Sequence, residues 1–181
     1  MDQTALLTAP IPPEEYDSVY TRYAERYPSG NLRSILSKQL DTTSQFLCAI
    51  TPDDLAVRYE TEKWCVAEVA GHVIDTERIM RNRAFSFARG GPMAMPDYDH
   101  DLYQQNAKYD EQTPPQLLNQ FIAEREATIA LYSSLPAEAL LRKGTINGRM
   151  LSVRAIGFVI AGHEQHHLQT LREKYKIGFG Q

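Results

Sequence analysis

The chain has 181 residues and a formal net charge of −4, enough length for one domain with its own core and the wrong sign for a surface that binds nucleic-acid phosphates. Its two cysteines, Cys48 and Cys65, make no disulfide framework and lack zinc-knuckle spacing, so a reducing cytoplasm is the expected location. No apolar run approaches the roughly 20 residues of a membrane-spanning helix, and MDQTALLTAPIPP lacks the basic and apolar regions of a secretory signal.

Residues 1–13 read as a loose lead-in because of Pro10, Pro12 and Pro13. Pro13-Glu14-Glu15 then opens a short helix, with proline in the first turn and acids at the positive end of the dipole. Tyr16, Tyr20, Tyr23 and Tyr27 follow at spacings of four, three and four, a stripe expected to cap one edge of the core with its hydroxyls reaching water. Pro28-Ser29-Gly30 ends it. The first long helix is expected from about Asn31 to Ile50, with Leu32, Leu36, Leu40, Thr43, Leu47 and Ile50 on its seam.

The second long helix begins near Cys65, in the N-cap slot, with Glu68 three residues on where a capping box would put it; Cys is a poor substitute for Ser there, so the box is half formed. A thiol at a helix N-terminus is a candidate for reactivity, but a structural role suits Cys65 better. The seam reads Val69, His72, Thr76, Ile79 and Arg83, which puts an imidazole in the inward stripe. Asp75 is three residues after His72 and within reach of orienting an imidazole or a water. Arg78, Arg81, Arg83 and Arg89 spread over several faces among Asp75 and Glu77, as on a solvated surface.

Residues 91–112 form a long connection with a helical turn at Asp99–Lys108, and connections of this length are often functional. Asp97, Asp99, His100 and Asp101 within it are expected to be capping or solvated groups in preference to a second metal site. Pro114-Pro115 opens the third long helix, to about Leu135, on a seam of Leu117, Phe121, Glu124, Thr128, Leu131 and Leu135. Asn147-Gly148 marks the turn of a small hairpin. Ser152 then caps the fourth long helix, to about Tyr175.

That last helix carries AGHEQHHLQTLREKY over residues 161–175. Val153, Ile156 and Ile160 lead into His163, His167 and Leu171 at alternating spacings of three and four, so two histidines continue the core-facing stripe while His166 points to an adjacent face, expected to be exposed. Imidazoles at i, i+4 can converge on one ion, as in helical zinc motifs; buried rings satisfied by hydrogen bonds would show the same spacing. His72 is the third imidazole that tips the balance toward a metal. Gly71 and Gly162, each preceding one of these histidines inside a helix, point to close helix approach.

Four long amphipathic helices in one domain, residues 1–181, predict an all-α four-helix bundle with a short N-terminal helix and crossover connections. The residues also resemble the DinB-like superfamily in its YfiT-type branch: WCVAEVAGHVIDTER over 64–78, FARG over 87–90, TING over 145–148, SVRAI over 152–156 and the histidine stretch above. The resemblance covers nearly the whole chain and implies a bundle that binds one divalent ion, zinc or nickel, through His72, His163 and His167, often as a homodimer. Cys65 stands where such sequences commonly carry Ser.

Three neutral imidazoles leave an ion with its full charge and an open position, the arrangement of catalytic zinc. A metal-dependent hydrolase acting on a small molecule, with Asp75 handling protons, is the leading expectation. The resemblance also implies low-molecular-weight thiol transfer, in which a thiol occupies the open position. A metal-stabilised binding or stress-response module without turnover is the third reading.

Overall fold

The computed structural model describes residues 2–177. Residues 2–10 are more ordered than the prolines suggest: Asp2 accepts a hydrogen bond from the Ala5 amide and caps helix α1, Gln3–Thr8, which buries Leu6 and Leu7. The expected tyrosine helix is instead broken. Two single turns, Pro13–Glu15 and Ser18–Tyr20, lead into α2, Thr21–Ala24. The reason is Glu15, drawn inward by Arg154 (2.6 and 2.7 Å) and by the Ser152 hydroxyl at 2.7 Å. That pull bends the chain before a helix can propagate.

The long helices are α3, Leu32–Ala49, α5, Val66–Ala88, α7, Pro114–Ser134, and α9, Val153–Glu173; the short helix α4, Pro52–Ala56, lies between the first two. Local chemistry sets their starts. Asn31 accepts from Arg33 and Ser34, Glu68 from the Cys65 amide at 2.7 Å, Gln116 from the Thr113 amide at 2.8 Å, and Ser152 from Ala155. The 91–112 connection holds β1, Ala94–Met95, and α6, His100–Ala107. After α8, Ala137–Leu140, comes the expected hairpin of β2, Lys143–Ile146, and β3, Arg149–Ser152, turned through Asn147 and Gly148 at φ 49° and 76°. β1 joins β2 in parallel, Ala94 opposite Thr145.

In the bundle α3 packs on α7 and α9, and α5 packs on α7 and α9. Helices α3 and α5 are therefore diagonal, as are α7 and α9, so the chain crosses the bundle twice. The four-helix bundle with crossovers is what the sequence predicts. α2 lies against α9 from outside.

Two apolar clusters fill the interior. One gathers the α3 start, the α5 end, the hairpin and the first half of α9; the other gathers the α3 end, the α5 start and Leu171, Tyr175 and Ile177. Between them runs a polar belt. Arg125, with no exposed surface, makes a two-pronged pair with Glu77 at 2.8 Å for each prong, reaches Glu164, and donates to Gln39 at 3.2 Å. Thr43 closes the network on Glu164, and Gln39 donates to the Ala161 carbonyl at 2.8 Å. All four long helices contribute.

This belt corrects two seams. On α7 the buried residues are Arg125 and Tyr132, where Glu124 and Leu131 are expected; on α3 Gln39 and Phe46 are buried and Leu40 is half-buried. The rotation of α7 brings the guanidinium to its two carboxylates and the Tyr132 hydroxyl to the Val153 carbonyl at 2.7 Å. It sends Glu124 outward to Arg78 and Arg81.

Candidate metal centre

His163 and Glu164 are neighbours on α9, about 100° apart around its axis: Glu164 turns into the belt and His163 toward His72 on α5. His72 Nε2 lies 3.2 Å and His167 Nε2 3.1 Å from His163 Nε2. All three ligand atoms fall within 4.8 Å of one another, and this is the one such gathering of His, Cys, Asp or Glu among the described residues. His72 and His163 are buried and His167 is half-buried.

The donor set fits a metal better than a hydrogen-bonded trio. Both short contacts run to His163 Nε2, which offers a single in-plane position, either a proton or a lone pair. Three lone pairs aimed at a common point have no such conflict. In a tetrahedral zinc site with nitrogen ligands the donors are about 3.3 Å apart, from zinc–nitrogen bonds of 2.0–2.1 Å. The 3.1 and 3.2 Å separations match that edge.

The glycines that precede His72 and His163 admit close neighbours from outside the four long helices. A Cβ on Gly71 would stand 2.1 Å from the Tyr109 ring, and one on Gly162 would stand 2.1 Å from the Tyr23 carbonyl oxygen. The second contact is with backbone, so it cannot be relieved by a rotamer. Gly162→Ala is expected to cost about 1–3 kcal/mol by overpacking and to push α2 away from α9. Hydrogen exchange should show faster exchange of the α2 amides with α5 and α7 unchanged.

Burial, with the nearby His100 adding, pushes His72 down from 6.5 to about 4; burial, with His72 adding, pushes His167 down to about 3. Burial holds His163 well below its ordinary value. At neutral pH all three are lone-pair donors. The sign for stability follows: near pH 5 the unfolded chain binds protons that the folded rings refuse, so stability falls as pH drops from about 6.5 toward 4. Urea unfolding of metal-free protein at pH 7 and pH 5 should differ by about 2–4 kcal/mol, with pH 7 the more stable.

Above the cluster opens a cavity of about 450 Å³. Its lining includes the N-terminal arm, with Tyr20, Arg22 and Tyr23, and the long connection, with Asp97, Tyr98 and His100. Trp64 tilts over the His72 ring at 5.0 Å, His100 meets the same ring edge-on at 5.2 Å, and Tyr23 meets His163 edge-on at 5.2 Å. The Tyr98 hydroxyl shares a 2.8 Å hydrogen bond with Thr76 and is pushed up to about 12 by burial, so it stays protonated. The connection is anchored by Arg83, which donates to the Pro96 carbonyl at 2.8 Å, and by Gln104, which donates to the Glu68 carbonyl at 2.9 Å.

Other expected residues lie elsewhere. Asp75 accepts from Arg78 at 2.7 Å and does not line the cavity. His166, expected to be exposed, is half-buried on the cavity wall with Nδ1 3.1 Å from Arg26. Asp99 caps α6 and Asp97 accepts from the Tyr98 amide, which accounts for the acidic run as capping groups. Cys65 is buried, and burial pushes its thiol up, away from reactivity. The cavity-lining roles of Trp64, Tyr20, Tyr23, Arg22 and Arg149 do not emerge from the sequence reading. The tyrosine stripe is the one signal that points toward them.

A family model described as the DinB superfamily matches residues 35–171. Among solved structures, the chain is similar to YfiT from Bacillus subtilis, described as "a probable metal-dependent hydrolase with an unusual four-helix bundle topology". The TM-score is 0.72 at 14% identity, over 95% of this chain and 97% of that one. At that identity the likeness is one of fold. No curated protein matches.

Proposed function

This chain belongs to the DinB superfamily, and on that premise we propose that His72, His163 and His167 hold one divalent cation, zinc or nickel, for hydrolysis of a small molecule in the cavity above them. The observation that carries the reading is the open side of the cluster: among the described residues three nitrogens gather rather than four ligands, and they line a cavity of about 450 Å³. Structural zinc sites are closed by a fourth protein ligand, and catalytic ones keep a position free. The description of YfiT as a probable metal-dependent hydrolase supports the same reading.

A bound ion supplies Lewis acidity and a lowered pKa for water at that position. The chain's own residues do the rest. Trp64 and Tyr23 hold the ligand rings in orientation by packing against them. The Tyr98 hydroxyl lines the cavity as a protonated hydrogen-bond donor toward a substrate oxygen. His100 places a further imidazole nitrogen on the wall, and it, in preference to Asp75, is the residue we assign to proton handling because it lines the cavity. Asp75 fixes Arg78, which braces α5 against Glu124 of α7.

The test is cobalt(II) reconstitution. An open site gives visible bands that shift when small ligands are added, and a panel of esters and amides should include a substrate whose turnover is lost in His167→Ala. A spectrum indifferent to every added ligand would mean a closed, non-catalytic site. Intense sulfur-to-metal charge transfer on adding cellular thiols would move the reading to thiol transfer.

A further inference from the structure

The cavity over the histidines has cations in its wall that no side chain among the described residues neutralises. Arg22 comes from α2 and Arg149 from the first residue of β3, so both belong to additions outside the four long helices. Neither forms an ion pair among the described residues, whereas Arg58, Arg78, Arg81, Arg83, Arg125 and Arg154 each do. Arg22 instead lies over the Tyr23 ring at 4.7 Å. The carboxylate in the lining, Asp97, is already faced by Arg83 at 3.4 Å.

The two guanidinium groups act on different groups of the cavity lining. Arg22 is felt electrostatically at His166 and His167, and Arg149 at the Tyr20 hydroxyl. Two positive charges without an ion-pair partner among the described residues therefore line a concave space in a chain whose net charge is −4. Concave walls of low dielectric concentrate such a field. A guanidinium offers a planar fork of donors that matches a carboxylate or phosphate.

We propose that Arg22 and Arg149 are an anion-recognition pair, and that the molecule bound in this cavity carries a carboxylate or phosphate group. The inference rests on the proposed metal reading only for which end of that molecule faces the histidines. A neutral molecule of the same size would leave both cations unmatched, so the pair selects for charge as well as shape.

Trp64, the single tryptophan of the chain, lines the same cavity and reports on its occupancy. The experiment titrates the full chain with inorganic phosphate and, separately, with succinate, following Trp64 fluorescence in metal-free and zinc-loaded protein. Metal-free protein is expected to bind one of the two anions saturably, with affinity that falls as sodium chloride is raised. The Arg22→Ala/Arg149→Ala variant should bind it at least tenfold more weakly with unchanged circular dichroism, since both side chains are exposed. Tighter binding of phosphate identifies a phosphoryl group, and tighter binding of succinate a carboxylate. Equal affinity in the double variant, or no anion binding by any form, overturns the proposal. Binding seen only with zinc and unaltered in the double variant also overturns it, while leaving the metal reading intact. Arginine-dependent binding by a protein that takes up no metal leaves the pair standing and removes the metal reading.

Discussion

His163→Ala is expected to abolish metal retention. The purified protein should carry about one equivalent of divalent metal by elemental analysis, and the variant essentially none. His163 is the hub of the cluster, with both other Nε2 atoms at 3.1 and 3.2 Å from its own. Losing residues that merely support a ligand weakens metal affinity by about 10–100-fold, so losing the central ligand should exceed about 100-fold. His167→Ala should behave alike, because its half-buried ring can be removed with little disturbance to packing. His166→Ala should keep its metal, since that ring contacts Arg26 and lies outside the trio. Retention of a full equivalent by both His163→Ala and His167→Ala would show that these rings are core polar residues and not ligands.

Arg125→Met should be the most destabilising single substitution in the bundle. It removes the one cation from between Glu77 and Glu164, both almost wholly buried, and leaves two carboxylates without a counter-charge. Breaking a buried pair from one side costs about 3–5 kcal/mol. In a chain of this size that lowers the melting temperature by roughly 10 °C or more. Burial already pushes Glu164 upward, offset by Arg125, and without the guanidinium that rise is larger. A carboxyl whose folded pKa exceeds its unfolded one loses stability as pH rises, so the variant should recover part of its deficit at pH 5 relative to pH 8. Adding Glu164→Gln to Arg125→Met should restore part of it at pH 8. A melting temperature within 3 °C of the wild type would show that the belt contributes specificity and not stability.

Much of this architecture is local in origin. Asn31, Thr113-Pro114 and Ser152 start helices because a side chain or a proline answers amides that the helix itself leaves free. Asn147-Gly148 turns a hairpin because those two residues tolerate positive φ. The i, i+4 spacing of His163 and His167, and the place of His72 on an inward stripe, come from helix periodicity alone. Caps, turns and periodicities act over a few residues, so they are readable without knowing what packs where.

What the tertiary structure decided depends on pairs distant in sequence. Arg125 and Glu77 look like ordinary surface charges of two helices, and only the bundle order α3–α7–α5–α9 places them together in the interior. The same order turns α7 so that Glu124 leaves the seam predicted for it. Glu15 breaks the expected tyrosine helix because its partner, Arg154, is on α9. The cavity is likewise a product of long-range packing: α2 seats on Gly162, and the 91–112 connection is anchored by Arg83 and Gln104. The sequence by itself determined the four helices, the hairpin and the three candidate ligands. Only the packed chain decided that the ligands converge, that a charged belt lies behind them, and which tyrosines and arginines stand around the space in front.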